Sequence, residues 1–375
     1  MIKREIQHKI EERLNRGKII IITGARQVGK TTLVKHIGQG FKDDFLYLNC
    51  DEPDIRSLLT DATSTNLKNI AGSKKLIVID EAQRVKNIGI TLKLFADELK
   101  EYQVIATGSS ALGLSDELNE PLTGRKFEFT IYPFAMRELT EEFGKLETNR
   151  LLEDRIIYGM YPEVTLNPDD KKLLLKEITS SYLFKDIFTY KDLRKSDLIE
   201  KLISALAAQI GNEVSYNELS NTLKADKDTI AKYIELLEKA FVIFRLAPFS
   251  RNVRTEITKS RKVYFYDTGI RNAVLSNFNR LENRPDKGAL WENFLISERL
   301  KLNSLKDDSI KSYFWRTTLQ QEIDYLELNE EAISAYEFTW NSKKKKKISK
   351  TFFSAYPNCI AEIINSENYF NFLNI

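Results

Sequence analysis

Residues 19–32 read Ile-Ile-Ile-Ile-Thr-Gly-Ala-Arg-Gln-Val-Gly-Lys-Thr-Thr. Four successive β-branched residues, Ile19 to Ile22, suit a buried strand that ends at Thr23. The next eight, Gly24 to Thr31, match G-x-x-x-x-G-K-[ST]. Glycines let such a loop curl until successive backbone N–H groups point at phosphate oxygens. Gly24, Ala25, Arg26, Gln27, Val28, Gly29, Lys30, Thr31 and Thr32 therefore form a candidate phosphate cradle. Lys30 supplies a point charge to the β- and γ-phosphates, and the Thr31 hydroxyl is a Mg²⁺ ligand. The helix that follows, TTLVKHIGQ, directs its positive dipole end at the same anion. A structural glycine turn would explain the glycines, but not the β-run before them and the helix after them.

Two further strands extend this reading. Leu76-Ile-Val-Ile-Asp80-Glu81 is a second buried strand, ending in two carboxylates. In a P-loop protein the first acid, Asp80, holds the Mg²⁺ shell through water. The second, Glu81, is placed to polarise a water for in-line attack, which favours hydrolysis over group transfer. A third strand, Gln103 to Ser110, ends in small hydroxyl residues. Ser109 is the candidate γ-phosphate sensor with Thr107 behind it, against the plainer reading of a polar strand end. ATP and Mg²⁺ are the expected cofactors. The fold class is α/β, a parallel sheet between helices.

Composition is consistent with this. The chain has 375 residues, 57 Lys or Arg and 54 Asp or Glu, a formal net charge of +3. With 42% hydrophobic and 30% charged residues it reads as an ordinary globular protein, long enough for two or three domains. No apolar run is long enough for a membrane span, and the charged N-terminus lacks a signal core, so a cytoplasmic location is expected. Cys50 and Cys359 are the only cysteines and His8 and His36 the only histidines, which excludes a zinc site and most Ser-His-Asp or Cys-His chemistry. The near-N-terminal stripe Ile2, Ile6, Ile10 and Leu14, at spacing four, suits a helix packed on the sheet.

GARQVGKTT, LIVIDEAQ, ATGSSA, LTGRKFEFTIYPF and GMYPEV, in this order, resemble the bacterial and archaeal AAA-type ATPases of the AAA_14/DUF4143 group. The resemblance covers nearly the whole chain. It implies that Arg125, in Leu122-Thr-Gly-Arg125, is the arginine of a GR motif before the last strand. Such a guanidinium stabilises γ-phosphate charge within the subunit or across a subunit interface, or else pairs with a local acid. Arg26 also matches the family. It implies a homo-oligomer, a hexameric ring, since AAA-type motors complete the site with a neighbour's arginine. The GMYPEV segment, Gly159 to Val164, matches the family without showing its role.

The organisation expected is a P-loop domain over 1–170, a helical linker with a winged helix over 171–280, and a nuclease-like domain over 281–375. Tyr216–Leu223, Lys224-Ala-Asp226 and Lys227–Glu238 read as short helix, tight turn and longer helix, with Ile230, Ile234 and Leu237 on one face. Strands at Phe241–Leu246 and Lys262–Tyr266 complete a winged helix-turn-helix. Lys227, Thr229 and Lys232 are exposed candidates on the second helix. The wing carries Arg245, Arg251, Arg254, Lys259, Arg261 and Lys262 against Glu256 alone. That balance suits a phosphate-binding edge, and duplex or branched DNA is the expected partner, with protein docking as the alternative.

In the last hundred residues a helix opens at Gly288 with Glu292 in its first turn. Strands follow at Tyr313–Arg316, Glu322–Leu326 and Ala335–Trp340. This resembles the PD-(D/E)xK nuclease fold, in which a helix Glu, a strand Asp and an E-x-K pair bind Mg²⁺. Glu292, Asp324 and Glu337 take those positions, but the lysine expected two residues after Glu337 is Thr339. Lys343–Lys347 either substitutes from nearby or is a solvated turn or phosphate patch. The missing lysine favours an inactive scaffold. The function expected is Mg²⁺-dependent ATP hydrolysis coupled to DNA binding and remodelling. The alternatives are an ATP-set conformational switch and, further off, an ATP-gated nuclease.

Overall fold

The computed structural model of the chain describes residues 2–109, 121–183, 196–249, 261–306, 310–317, 319–343 and 346–375. It divides into two compact units, one holding Met1–Pro133 and the other holding Phe134–Ser181, Leu193–Glu238 and Val242–Ile375.

In the first unit, five strands form one parallel sheet: β1 (Ile19–Thr23), β2 (Phe45–Asn49), β3 (Leu76–Asp80), β4 (Gln103–Gly108) and β5 (Lys126–Thr130), in the order β2-β3-β4-β1-β5. Helices α1 (Ile6–Glu11), α2 (Lys30–Gln39), α3 (Pro53–Leu59), α4 (Ser64–Ala71) and α5 (Ile88–Glu98) accompany it. The central strands β1, β3 and β4 are buried along almost their whole length, as expected of a sheet covered on both faces. Ile19, Ile21, Ile77, Ile79, Val104 and Ala106 share one core with Leu67, Leu92 and Phe95 from the helices. Of the N-terminal stripe, Ile2, Ile6 and Ile10 are buried and Leu14 is half-buried. Because all five strands run the same way, their carboxyl ends meet at one edge, where ligands of open α/β sheets bind.

The second unit holds a seven-stranded sheet in the order β12-β11-β10-β9-β7-β8-β6. Its strands are β6 (Glu213–Val214), β7 (Ile243–Pro248), β8 (Arg261–Phe265), β9 (Ile310–Arg316), β10 (Glu322–Asn329), β11 (Ala332–Phe338) and β12 (Ile360–Ile364). Strands from both sides of residue 280 share this sheet, joined where β7 and β9 pair in parallel, Ala247 beside Tyr313. The helix–turn–helix is present as helices Tyr216–Leu223 and Lys227–Lys239. Asp226 caps the second of them by accepting the N–H groups of Asp228 and Thr229.

The helix expected to open at Gly288 runs Lys287–Ser304. It is enclosed on nearly every face, with Asn293, Glu298, Arg299 and Lys301 buried among apolar residues. These polar groups cap other backbone or pair internally, as burial requires. Glu298 accepts the Met136 N–H and the Lys301 ammonium, which also donates to the Phe134 carbonyl. The GMYPEV segment acquires a structural account. Gly159 has φ +70°, and a Cβ there would lie 1.9 Å from the Asp267 carboxylate. Asp267 is buried, accepts the Met160 N–H at 2.7 Å, and caps helix Thr268–Val274 through the Ile270 N–H. The signature glycine is thus what admits a buried capping carboxylate.

Candidate functional site

The loop between β1 and α2 is shaped by its glycines. Gly24 has φ +152°, and a Cβ there would meet the Ile131 carbonyl oxygen at 2.2 Å, so only glycine fits. Gly29 is the left-handed N-cap of α2, whose open N–H groups face the loop. Gln27 also sits at positive φ, 61°. Lys30 is buried, and its ammonium donates to the carbonyls of Gly24 and Ala25 at 3.0 and 2.8 Å. Arg4, from the segment before α1, donates to the Val28 carbonyl at 2.8 Å and the Tyr132 carbonyl at 2.6 Å, tying the loop to the end of the sheet.

Asp80 ends β3 at the same edge. Thr31 and Tyr47 donate to its Oδ2 at 2.7 and 2.5 Å, and Thr107 donates to its Oδ1. Burial and the Asp80 carboxylate push the Tyr47 phenol well up, so it remains a donor. The same causes, burial first, push the neighbouring Cys50 thiol up to about 12, which leaves it inert. Glu81 follows in the left-handed region, φ 55° and ψ 42°, a conformation non-glycine residues hold only when their surroundings fix it. Its N–H donates to Thr107 Oγ1 at 3.1 Å. The Gln83 side-chain amide donates to Glu81 Oε2 at 2.6 Å and to Ser109 Oγ at 3.0 Å. Thr31 and Asp80 thus present hard oxygen donors side by side at the helix N-terminus, and this set fits Mg²⁺. Tyr47 and Gln83 were not singled out from sequence. Only the position of Gln83 inside the DEAQ stretch could have signalled it.

Arg125 stands elsewhere. Its carbonyl accepts the Ile19 N–H, so it lies at the amino end of β5 and β1, the edge opposite the phosphate loop. Five strand residues at roughly 3.3 Å each separate the two edges, about 15 Å. Its guanidinium is held by Asp97 at 2.6 Å. Action on a phosphate of its own subunit is therefore corrected by the geometry.

In the second unit Glu292, Asp324 and Glu337 lie in a cluster with two lysines. Lys262 donates to Glu292 at 3.1 Å and pairs with Glu322, while Tyr264 donates to Glu292 at 2.5 Å. Lys346 donates to Asp324 at 2.7 Å and pairs with Glu337. The ammonium missing at Thr339 thus comes from the lysine run. Burial and Asp324 push Glu337 up to about 8, and burial pushes Glu292 up to about 7 against the pull of Lys262. Among the described residues no three Asp, Glu, His or Cys side chains stand close enough to hold a metal ion. Lys346 bridges Asp324 and Glu337, and Lys262 bridges Glu292 and Glu322, so each carboxylate already has a tethered cation. The cluster does not fit the Mg²⁺ implied by the nuclease resemblance, and no cleavage step follows from it.

The surface expected to meet nucleic acid is partly corrected too. Lys262 is 1% exposed and enclosed by carboxylates, and Arg245 is held by Glu238 and Tyr216. Neither is a free contact. Lys227 and Lys232 are exposed and Arg261 half-buried, while Arg251 and Arg254 lie outside the described residues.

A parallel sheet whose carboxyl edge combines a phosphate loop, a hydroxyl–aspartate pair and a following glutamate defines a P-loop nucleotide-binding unit of AAA type. Residues 16–140 match the AAA domain model AAA_14, residues 149–281 the domain of unknown function DUF8612, and residues 287–369 the domain of unknown function DUF4143. The AAA_14 and DUF4143 matches make the chain similar to P-loop ATPase-type proteins of the AAA_14/DUF4143 group. It is 29% identical over 366 residues to an uncharacterized protein of Methanocaldococcus jannaschii, covering 91% of this chain and 80% of that one. An uncharacterized protein of Mycobacterium tuberculosis is 26% identical over 332 residues, 87% of this chain and 71% of its own length. Among solved structures, the Walker-type ATPase of Pyrococcus abyssi aligns with a TM-score of 0.50 at 16% identity, over 73% of this chain and 96% of that one, a likeness of fold. Among the described residues no helix is long and apolar enough to cross a membrane.

Proposed function

We propose that this chain hydrolyses ATP with Mg²⁺ and couples that hydrolysis to the binding and remodelling of DNA, duplex or branched, as a ring-shaped homo-oligomer. The observation that carries the reading is the meeting of Lys30, Thr31, Asp80, Glu81 and Ser109 at one sheet edge. The loop N–H groups and Lys30 bind the phosphates. Thr31 and Asp80 would hold Mg²⁺, which when bound supplies charge against the β- and γ-phosphate oxygens. Glu81, fixed at its unusual backbone angles, accepts a proton from the attacking water. Ser109 donates to the γ-phosphate. Arg125, too far from its own site, reaches a neighbouring subunit's nucleotide when the ring forms and the Asp97 pair opens.

The DNA-binding part is supported by the exposed Lys227 and Lys232 on the second helix of the helix–turn–helix. Steady-state ATP hydrolysis at about 0.1 M salt, without DNA and with single-stranded, duplex and four-way-junction DNA, tests the whole reading, the salt being fixed because phosphate contacts are steeply salt-dependent. Stimulation by one DNA form, lost in Glu81→Gln, is expected. Hydrolysis that no DNA changes would remove the DNA motor and leave a nucleotide-set switch with a protein partner.

A further inference from the structure

The amide of Gln83 bridges two groups that the hydrolysis reading assigns separate tasks. One N–H goes to the Glu81 carboxylate and the other to the Ser109 hydroxyl oxygen, at 2.6 and 3.0 Å. The orientation is fixed by chemistry: turning the amide over would set its carbonyl oxygen against a carboxylate, two acceptors face to face. Its carbonyl oxygen is buried and has no hydrogen-bond partner among the described residues. A buried amide oxygen left unpartnered is costly, so the position is held by what the N–H groups do. Ser109 is itself 3% exposed at the end of β4 and accepts from Gln83, which leaves its own O–H to donate.

We infer that Gln83 is a positioning residue that couples recognition of the terminal phosphate to the base, through the chain Ser109–Gln83–Glu81. The inference rests on the hydrolysis reading above. When Ser109 donates to a γ-phosphoryl oxygen, its oxygen becomes a better acceptor for Gln83, and the polarised amide holds the Glu81 carboxylate more firmly. A nucleoside diphosphate has no terminal group for Ser109 and leaves the chain unpolarised. Gln83 thus makes the placement of Glu81 depend on the triphosphate, without touching nucleotide or water.

The test is steady-state kinetics of the full chain with ATP, for wild type, Glu81→Gln, Gln83→Ala, Ser109→Ala and the Gln83→Ala/Ser109→Ala pair, with ADP affinity and thermal melting measured on each. A hydrogen bond to a charged group corresponds to about ten- to hundredfold in rate, so Gln83→Ala should lower kcat by that factor. KM for ATP and the affinity for ADP should stay within about twofold, since the lost contact is not to the ground-state nucleotide. The pair should be no slower than the slower single variant, because both break one chain. A merely structural Gln83 would instead lower the melting temperature, shift ADP affinity or give additive losses, and any of these overturns the inference. Wild-type rates in Gln83→Ala with Glu81→Gln inactive would overturn it alone. No hydrolysis by wild type, or full activity in Glu81→Gln, would overturn the underlying reading and the inference with it.

Discussion

The two carboxylate sites of this chain solve one problem in opposite ways. At the sheet edge of the first unit, Asp80 is surrounded by hydroxyl donors from Thr31, Tyr47 and Thr107. Hydroxyls are neutral and rotate, so they stabilise the charge while leaving it open to a cation. In the second unit, Asp324, Glu337 and Glu292 are met by the ammonium groups of Lys346 and Lys262. A tethered ammonium cancels the charge outright and occupies the space between carboxylates. One arrangement is prepared for a divalent ion and a phosphate; the other carries its own cations. The difference separates a carboxylate left open to a cation from carboxylates already matched by one.

The largest effect that can break this comparison is on catalysis. Glu81→Gln should reduce ATP hydrolysis by about 10²–10⁴-fold, the range for loss of a general base, while Glu337→Gln should leave it within about twofold. Parallel steady-state assays of the two variants decide it. A comparable loss in both would mean that the two clusters do not divide the work as described.

The second effect is on ion uptake. Removing Lys346 takes one cation from the second cluster and leaves Asp324 and Glu337 side by side, a loss on the order of 3 kcal/mol for a largely buried pair. Lys346→Met should therefore melt earlier in metal-free buffer and recover on adding millimolar Mn²⁺. Asp324→Asn added to it should abolish that recovery. The wild-type chain should show no Mn²⁺-dependent stabilisation that Asp324→Asn removes. If it does, the lysines are displaceable and the second site is a metal site after all.

The first site was legible because its residues are contiguous or end strands of a parallel sheet. Lys30 and Thr31 lie in one motif, Asp80 ends an unbroken apolar run, and Ser109 follows Val104-Ile-Ala-Thr-Gly, both on strands whose direction the fold fixes. Tyr47 escaped notice since nothing in Phe-Leu-Tyr-Leu-Asn says that its hydroxyl crosses to the next strand. Lys262 was misread for a clear reason: β8 is buried from Lys262 through Phe265, and a strand enclosed on both faces has no alternation to reveal which side chains face water. The run Lys343–Lys347 is one alternative source of the missing lysine, but no spacing singles out Lys346, because a through-space contact nine positions along the chain replaces the expected spacing of two. Arg125 shows the converse. Its motif was recognisable, yet the edge on which it lies follows from strand pairing, which no local pattern contains.

The smallest effect lies in pH. Glu337 is pushed up to about 8 by burial and the Asp324 carboxylate, opposed by Lys346, and Glu292 is pushed up to about 7 by burial with Lys262 opposing and Asp324 adding. Lys262 faces Glu322 as well, so the whole group of Glu292, Glu322, Asp324, Glu337, Lys262 and Lys346 responds together. A carboxyl whose folded pKa lies above its unfolded one binds more protons in the folded state between the two values. Stability from that source is fully present below the unfolded value and is lost as pH rises through the folded one. The second unit should therefore lose stability as pH rises between about 5 and 8, beyond any change in the first unit. Glu337→Gln, which cannot ionise, should flatten most of that slope in a series of thermal melts across this range. A slope that is unchanged in Glu337→Gln, or that rises with pH in the wild-type chain, would mean that Lys346 and Lys262 hold these carboxylates fully ionised in close ion pairs, so that the ammonium groups and not burial set their titration.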